Sequence, residues 1–232
     1  MFTVIIPAYN EARRIQPTLE QLTKELDSRK LDYQILVVEE SSDETPQIVQ
    51  RFGQKNPRVR NAHFTTRLGK GGGLVEGLKL AAGDAITYDA DAATPASEIP
   101  KLLSALQQND LAIGSRYLPG SHTVGVTGFR KIASRLFNLL VRLLFFLPFV
   151  DTQCGFKAVK ASAIPKLLAK PFHSRGFEWD IELLARAKQL GLRVAEVPVE
   201  WHHVEGGTVE GGSTLKTGWK MFKGLLKLRA AL

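Results

Sequence analysis

The 232-residue sequence has the composition of a globular protein, with 44% hydrophobic and 23% charged residues, which excludes a disordered chain. Its net charge of +8 is uneven: residues 1–110 contain 13 basic and 15 acidic side chains, whereas residues 111–232 contain 18 and 8. This asymmetry predicts that the second half faces an anion. A phosphorylated substrate, phospholipid headgroups and nucleic acid would all satisfy it.

The sequence pattern predicts neither a secretory signal nor a membrane-spanning segment. The first residues enter an apolar strand pattern without a positively charged leader. The most apolar stretch, residues 139–150, is too short for a bilayer and is interrupted by Arg142 and Pro148. The single cysteine, Cys154, excludes an internal disulfide and is typical of a small buried side chain. We therefore expect a cytoplasmic protein that is soluble or attached to the membrane surface.

Buried strands alternate with helices in the first half of the chain. Continuous apolar runs predict strands at residues 2–7, 34–38, 59–63 and 85–88, and apolar residues at helical spacing predict the intervening helices. A glycine-rich loop is expected at residues 65–73, before the third helix. This alternation predicts an α/β fold with a doubly wound, mostly parallel sheet that is covered by helices on both faces.

The second half is less regular. Its predicted elements are a helix through Leu102 and Leu106, a strand at 111–114, a loop at 120–128, an apolar helix at 132–147, a helix after 176–180 and a strand at 193–199. No linker divides the chain, so we expect one domain over residues 1–232.

Two acids follow the fourth predicted strand, Asp89 and Asp91, separated by Ala90. An isolated pattern of this kind is often a solvated loop. Here, however, Tyr9 and Glu39 also lie just past predicted strand ends, where doubly wound sheets bind ligands. Paired carboxylates are suitable ligands for a hard divalent cation that also binds phosphate. The sequence therefore predicts a metal and diphosphate site at this edge of the sheet.

Three other features leave two interpretations each. Lys70 lies among glycines, but it is followed by Gly71 instead of Ser or Thr, so it is not a P-loop; a phosphate-binding loop and a plain turn remain. Asp180, at a predicted helix start, is a candidate base or orienting group, or a helix cap. His202 and His203 would point to opposite faces of a strand, which favours surface histidines over a metal site.

Five segments together resemble a known family. They are VIIPAYNE at 4–11, GDAITYDADAATP at 83–95, IGSRY at 113–117, DTQCGFKA at 151–158, and GFEWDIELL at 176–184 with VAEVPVEW at 194–201. The sequence is similar here to the inverting glycosyltransferases of family 2, which have the GT-A fold, a Rossmann-like α/β architecture. The polyprenyl-phosphate (dolichyl-phosphate) mannose and glucose synthases are the most similar subgroup.

The resemblance implies a GDP- or UDP-hexose donor, Mg²⁺ or Mn²⁺, a polyprenyl phosphate acceptor and no nucleic acid. It assigns donor binding to residues 1–110 and acceptor binding to 111–210. The implied donor site contains Pro7, Tyr9, Asn10, Glu11, Glu39, Lys70, Asp89 and Ala90. Asp89 and Asp91 would hold the metal, and Asp91, Arg116, Arg130 and Asp180 form the implied catalytic set.

The sequence also departs from the family pattern. Glu39-Glu40 stands where Asp-Asp is usual, so either glutamate could face the base, and Ala93 stands where some relatives have a metal-binding Gln. The choice between guanine and uracil therefore stays open, and a nucleotide-sugar-binding module without turnover is an alternative. A second alternative is a family-2 transferase with a protein, glycan or small soluble acceptor, which an assay with such acceptors in place of the lipid phosphate would distinguish. An Asp91→Ala variant would separate the module from an enzyme.

Residues 211–232 are predicted to form a basic amphipathic helix. The apolar stripe consists of Leu215, Trp219, Phe222 and Leu226, and the adjoining basic stripe consists of Lys216, Lys220, Lys223 and Lys227. Together with the apolar segment at 132–150, this pattern predicts a peripheral contact with an anionic membrane surface. The alternative is a terminal helix that is packed on the domain with solvated lysines.

Overall fold

The computed structural model describes residues 1–204 and 214–231, and all of their side chains except those of residues 129–130 and 214–222. The strands are β1 (Phe2–Ala8), β2 (Tyr33–Glu39), β3 (Val59–His63), β4 (Asp84–Thr87), β5 (Leu111–Ser115), β6 (His122–Val124), β7 (Lys157–Val159), β8 (Val194–Pro198) and β9 (Glu200–His202). The helices are α1 (Ile15–Ser28), α2 (Thr45–Lys55), α3 (Gly69–Leu80), α4 (Ile99–Leu106), α5 (Gly128–Phe145), α6 (Ile164–Leu168), α7 (Trp179–Gln189) and α8 (Thr214–Ala231).

Seven strands form one central sheet in the order β3-β2-β1-β4-β7-β5-β8. All neighbours pair in parallel except β7, which runs antiparallel to both β4 and β5. Ala8 pairs with Glu39, and Glu39 pairs with His63, so the carboxyl ends of the first three strands are level. The predicted α/β, mostly parallel sheet is therefore confirmed.

Helices cover both faces of the sheet because successive side chains of the buried strands point in opposite directions. Val4 and Ile6 pack in one apolar cluster with the helices α1 and α4, whereas Ile5 packs in a second cluster with α3 and α7. All three β1 side chains are fully buried. β1 is consequently an interior strand against which both helical layers pack.

The expected glycine-rich loop at 65–73 is correct only for residues 65–68, because α3 already begins at Gly69. Its glycines permit close packing: a Cβ at Gly77 would collide with Ile5 Cγ2, and one at Gly71 would lie 2.6 Å from Trp179 Cβ. Glycine lowers helix propensity by about 1 kcal/mol relative to alanine, and the contacts made by this helix compensate for that cost. Lys70 is thereby placed in the first turn of a helix.

The second half contains elements that the sequence did not predict. The expected loop at 120–128 includes the short strand β6, which pairs in parallel with β9, and the apolar helix α5 begins at Gly128, earlier than expected. The strand β7 and the helix α6 were not predicted either. The expected helix after 176–180 is α7, and the expected late strand is β8 at the sheet edge.

The helix α8 packs against α5 and α7 through Leu225 and Leu228, which are buried, whereas Leu226 is exposed. This part of the helix agrees with the alternative of a packed terminal helix. The side chains of Leu215, Lys216, Trp219, Lys220 and Phe222, which carry most of the predicted amphipathic pattern, lie outside the described residues. Among the helices that are described, none is both long and apolar enough to cross a membrane.

Candidate active site

Asp89 and Asp91 lie in the turn that follows β4. Ala92 has a φ of 53°, in the left-handed region, and this reversal of the chain brings the Ala93 N–H to 3.1 Å from Asp91 Oδ1. The carbonyl oxygen of Ala90 accepts a hydrogen bond of 2.7 Å from Thr18 Oγ1 of α1. The turn is thus fixed by its own backbone and by the neighbouring helix.

Asp89 forms an ion pair with Lys70, whose Nζ lies 2.5 Å from Asp89 Oδ1. Burial alone would raise the pKa of the Asp89 carboxyl, but the Lys70 ammonium outweighs it and holds that pKa below its ordinary value. Gly155 lies against the same pair, since a Cβ there would be 2.6 Å from Asp89 Oδ2 and 3.1 Å from Lys70 Nζ. Asp89 is therefore ionised and closely packed.

Asp91 has a different environment. Burial first, and then the negative charge of Asp89, raise the pKa of its carboxyl above the ordinary value. A divalent cation between the two groups would remove this repulsion, and carboxylate oxygens are the ligands that Mg²⁺ and Mn²⁺ prefer. The pair therefore fits such an ion. In the part of the chain that the structure describes, no cluster of three or more His, Cys, Asp or Glu side chains suited to a metal is present.

The loop after β1 is tied to the loop after β2. Asn10 has a φ of 56°, its N–H donates to Ser41 Oγ at 3.0 Å, and its side-chain oxygen accepts from the Ser42 N–H at 2.9 Å. The Glu11 N–H donates to Thr45 Oγ1 at 2.8 Å. Asn10 and Glu11 are therefore held level with the carboxyl end of β2.

Other side chains at this edge have local partners. The Tyr9 ring is covered by the Arg67 guanidinium at 3.3 Å, and Glu11 forms a two-pronged ion pair with Arg14 at 2.6 and 2.7 Å. Burial raises the pKa of the Glu11 carboxyl above its ordinary value, despite the opposing effect of Arg14. Pro7 precedes this loop and lies beside Gly73 of α3.

The two adjacent glutamates occupy different surroundings. Glu39 is buried and accepts hydrogen bonds from the Ser41 N–H at 2.8 Å and from Asn61 at 3.2 Å, and its other contact is His63 Nδ1 at 2.7 Å. Glu40 instead accepts from the N–H groups of Leu68 and Gly69 at the start of α3. Glu40 thus stabilises the start of α3, the helix that carries Lys70. Glu39 is instead held by two side chains of β3, Asn61 and His63.

Arg116 follows β5 and is held by Asp151, with its Nε 2.7 Å from Oδ2 and one Nη 3.0 Å from Oδ1. Asp151 is held in turn, because its N–H and that of Val150 donate to the Glu196 carboxylate at 2.6 and 2.8 Å. The side chain of Arg116 is 16% exposed, so the guanidinium is positioned without being sealed off. The side chain of Arg130 lies outside the described residues.

Asp180 lies in the first turn of α7 and accepts a hydrogen bond of 2.5 Å from Lys157 Nζ. Lys157 is fully buried and also donates to the Cys154 carbonyl oxygen. The structure thus places Asp180 as the partner of a buried lysine, which differs from the helix cap that was one of its two interpretations. Lys157 and Asp151 were not singled out from the sequence, although both belong to the 151–158 segment.

The remaining candidates agree with the simpler interpretations. Cys154 is buried, and burial raises the pKa of its thiol to about 11, so it is protonated at neutral pH. His202 Nε2 lies 2.5 Å from Glu200 Oε1, and the His203 ring lies beside Trp201. No group of metal ligands includes either histidine within the described residues.

Gly155→Ala is expected to reduce Mn²⁺ affinity by roughly tenfold, because the added methyl group would lie 2.6 Å from Asp89 Oδ2 and displace this candidate metal ligand at an overpacking cost of about 1–3 kcal/mol. Mn²⁺ titration measures the change. Gly128→Ala is the matched control, since a Cβ there would meet no atom within 4 Å. Equal behaviour of the two variants would contradict the prediction.

Comparison with known proteins shows the family to which the chain is related. The sequence model for glycosyl transferase family 2 matches residues 3–168. The chain is 35% identical to the glycosyltransferase AglD of Haloferax volcanii, over 94% of this chain and 37% of that protein. It is 30% identical to a dolichyl-phosphate beta-glucosyltransferase of Trichomonas vaginalis, with 99% and 72% covered, and to an undecaprenyl-phosphate mannosyltransferase of Micrococcus luteus, with 88% and 84% covered.

The fold is that of the GT-A glycosyltransferases. Glucosyl-3-phosphoglycerate synthase of Mycobacterium tuberculosis in complex with UDP superposes with a TM-score of 0.71 at 19% identity, covering 98% of this chain and 79% of that one. A complex of the same enzyme with Mn²⁺, UDP and glucosyl-3-phosphoglycerate also gives 0.71, at 18% identity and with 99% and 80% covered. The chain belongs to glycosyltransferase family 2.

Proposed function

We propose that the protein is an inverting, metal-dependent glycosyltransferase that moves a hexose, mannose or glucose, from a GDP- or UDP-sugar to a polyprenyl phosphate. The observation that carries the proposal is the Asp89-Ala90-Asp91 turn beside Lys70 at the carboxyl end of β4. Relatives named for dolichyl or undecaprenyl phosphate, of which the chain covers 72% and 84%, support this acceptor. Because the chain spans only 37% of AglD, that protein contributes the family alone.

Asp89 and Asp91 would hold Mg²⁺ or Mn²⁺, which as a Lewis acid neutralises the charge that develops on the leaving diphosphate. The proposed donor site also includes Pro7, Tyr9, Asn10, Glu11, Glu39, Lys70 and Ala90, all of which lie at or beside the carboxyl ends of β1, β2 and β4 or in the first turn of α3. Lys70 adds a positive charge there. Residues 1–110 would thereby bind the leaving diphosphate and neutralise its charge.

The acceptor needs positioning more than deprotonation, because a polyprenyl phosphate is already anionic near pH 7. Its oxygen forms a bond to the anomeric carbon from the face opposite the diphosphate, whose C–O bond breaks, and the configuration inverts. Arg116, fixed by Asp151, and Arg130 are proposed to hold the phosphate by charge-assisted hydrogen bonds. Asp180 is paired with Lys157 and is therefore assigned an orienting role in place of a base.

The test is an assay with a panel of nucleotide sugars, polyprenyl phosphate and Mg²⁺ or Mn²⁺, scored for a glycolipid product. A product with one donor, lost when the phosphate is replaced by the free polyprenol, is the expected result. Transfer to soluble glycans or phosphorylated small molecules in place of the lipid would overturn the acceptor, and no transfer from any donor would overturn the enzyme.

A peripheral membrane contact completes the proposal. The helix α5 carries an exposed apolar stripe, with Ile132 61%, Leu136 62% and Leu143 65% accessible. Basic side chains of the same helix, Lys131 and Arg135, adjoin the stripe and suit anionic headgroups. We propose that this stripe lies in the bilayer interface, which is where a polyprenyl phosphate presents its charge.

The double variant Leu136→Glu/Leu143→Glu is expected to lower binding to anionic vesicles by at least about tenfold. Each of these exposed leucines would contribute about 1.5–3 kcal/mol when the bilayer buries it. Cosedimentation with phosphatidylglycerol vesicles at physiological salt measures it. Leu190→Glu, at an exposed leucine after α7, is the control. Unchanged vesicle binding accompanied by a loss of self-association would assign the stripe to a second copy of the chain instead.

A further inference from the structure

The ammonium of Lys70 and a divalent cation would use the same carboxylate. Lys70 Nζ lies 2.5 Å from Asp89 Oδ1, so a positive charge already neutralises one of the two acids proposed as metal ligands. Neither side chain is sealed off, since 24% of the lysine and 31% of the aspartate are exposed. Ions and phosphates from solution can therefore reach the pair.

The backbone at Lys70 is held in place, whereas its side-chain ammonium can move. The N–H groups of Gly71 and Gly72 donate to the Arg175 carbonyl oxygen, and Glu40 accepts from the Gly69 N–H, so the first turn of α3 is fixed from both sides. Between this turn and the ammonium lies a flexible four-carbon chain. The Nζ atom can thus change partners without movement of the helix.

Gly155 limits the space at the pair. A Cβ at this position would already lie 3.1 Å from Lys70 Nζ and 2.6 Å from Asp89 Oδ2. A dication that binds Asp89 in this confined space would lie next to the ammonium, and two positive charges at that distance repel strongly. The lysine must therefore leave Asp89 before the cation can bind it fully.

We propose that Lys70 is a placeholder for the divalent cation, and that the diphosphate of the donor draws its ammonium away from Asp89 as the cation binds. This inference rests on the proposed function and adds a coupling between its two ligands. The nucleoside diphosphate supplies a new anionic partner for the lysine, which frees Asp89. Nucleotide and cation then strengthen each other's binding, and the coupling is reciprocal.

Mn²⁺ binding provides a test that does not depend on turnover. Free Mn²⁺ is measured by electron paramagnetic resonance in titrations of the protein, with and without UDP or GDP, and a buffer titration corrects for chelation by the nucleotide. In Lys70→Met we expect Mn²⁺ alone to bind about tenfold more tightly than in the wild type, because its competitor is gone. The additional tightening caused by nucleotide should shrink by a similar factor.

Lys79→Met is the matched control, because Lys79 lies on the same helix, pairs with Glu76 at 2.8 Å and is half exposed. It removes the same charge from α3 and should leave Mn²⁺ affinity at the wild-type value. Lys70→Gln serves as a second variant of the same site should Lys70→Met fold poorly in thermal denaturation. Both Lys70 variants should shift Mn²⁺ affinity in the same direction.

The two proposals fail in different ways. If Lys70→Met and Lys70→Gln bind Mn²⁺ alone no more tightly than the wild type, the proposed role of Lys70 is wrong. The proposed glycosyltransferase activity is then still decided by the product assay. Equal tightening in Lys79→Met would reduce the effect to net charge and would also overturn the inference. If the wild type binds no Mn²⁺ even with nucleotide, the metal site fails and the placeholder fails with it.

Discussion

Asp91→Asn is expected to lower kcat/KM for glycolipid formation by roughly 10³-fold, because a catalytic cation contributes several kcal/mol to charge stabilisation in the transition state. The substitution would keep the size of the side chain and an oxygen for the Ala93 N–H, but it would remove the charge that a cation needs. Initial rates at several Mn²⁺ concentrations measure the effect. Excess Mn²⁺ should restore only part of the lost rate.

Asp84→Asn is the control for this variant. Asp84 lies at the opposite end of β4 and accepts a hydrogen bond of 2.8 Å from the Ala161 N–H, which an amide oxygen can also accept. Asp84→Asn removes the same charge from the other end of β4 and should leave the rate near the wild-type value. An Asp91→Asn enzyme with undiminished activity would exclude this acid as a metal ligand.

Lys157→Met is expected to lower the free energy of unfolding by about 3–5 kcal/mol, since it leaves the buried carboxylate of Asp180 without its partner. Lys157 is fully buried and 6% of the Asp180 side chain is exposed, so water cannot replace the lost contact. Urea denaturation followed by circular dichroism measures the change, with the slope of the transition as a check on two-state behaviour.

The double variant Lys157→Met/Asp180→Leu separates charge from packing. Replacing both members of a buried ion pair by apolar side chains is often neutral or stabilising, so the double variant should recover most of the stability that Lys157→Met loses. If it is no more stable than Lys157→Met, the loss arises from packing around the lysine. Lys188→Met, at a surface lysine of α7, should change stability by less than about 0.5 kcal/mol.

The strands of the first half were predicted because buried parallel strands are continuous apolar runs, and β3 has the predicted bounds of Val59–His63. The start of α3 was missed because glycine indicates a loop locally, whereas the close packing against Ile5 and Trp179 is a tertiary contact. The strand β7 was missed because it is three residues long and begins with a lysine whose partner lies 23 residues away.

The acid pair was predictable from its place after β4, because ligands of such sheets bind beyond the carboxyl ends of strands. The partners of these side chains, Lys70 beside Asp89 and Asp151 beside Arg116, could not be predicted from the sequence. Lys70 was noticed for its glycines, yet its contact with Asp89 depends on how α3 crosses the sheet. The ion pair of Asp151 with Arg116 joins side chains 35 residues apart in the sequence, so no local pattern could indicate it.

The antiparallel strand β7 has a consequence for how the protein could evolve. Because β7 runs against β4 and β5, the segment that leads into it reaches the functional edge of the sheet, where Asp151 holds Arg116 and Gly155 lies against Asp89. Residues 151–155 therefore set the spacing between Asp89, a proposed metal ligand, and Arg116, which is proposed to hold the acceptor phosphate. A recombinant protein that joins the first half of one relative to the second half of another would therefore have to keep residues 151–155 unchanged in length.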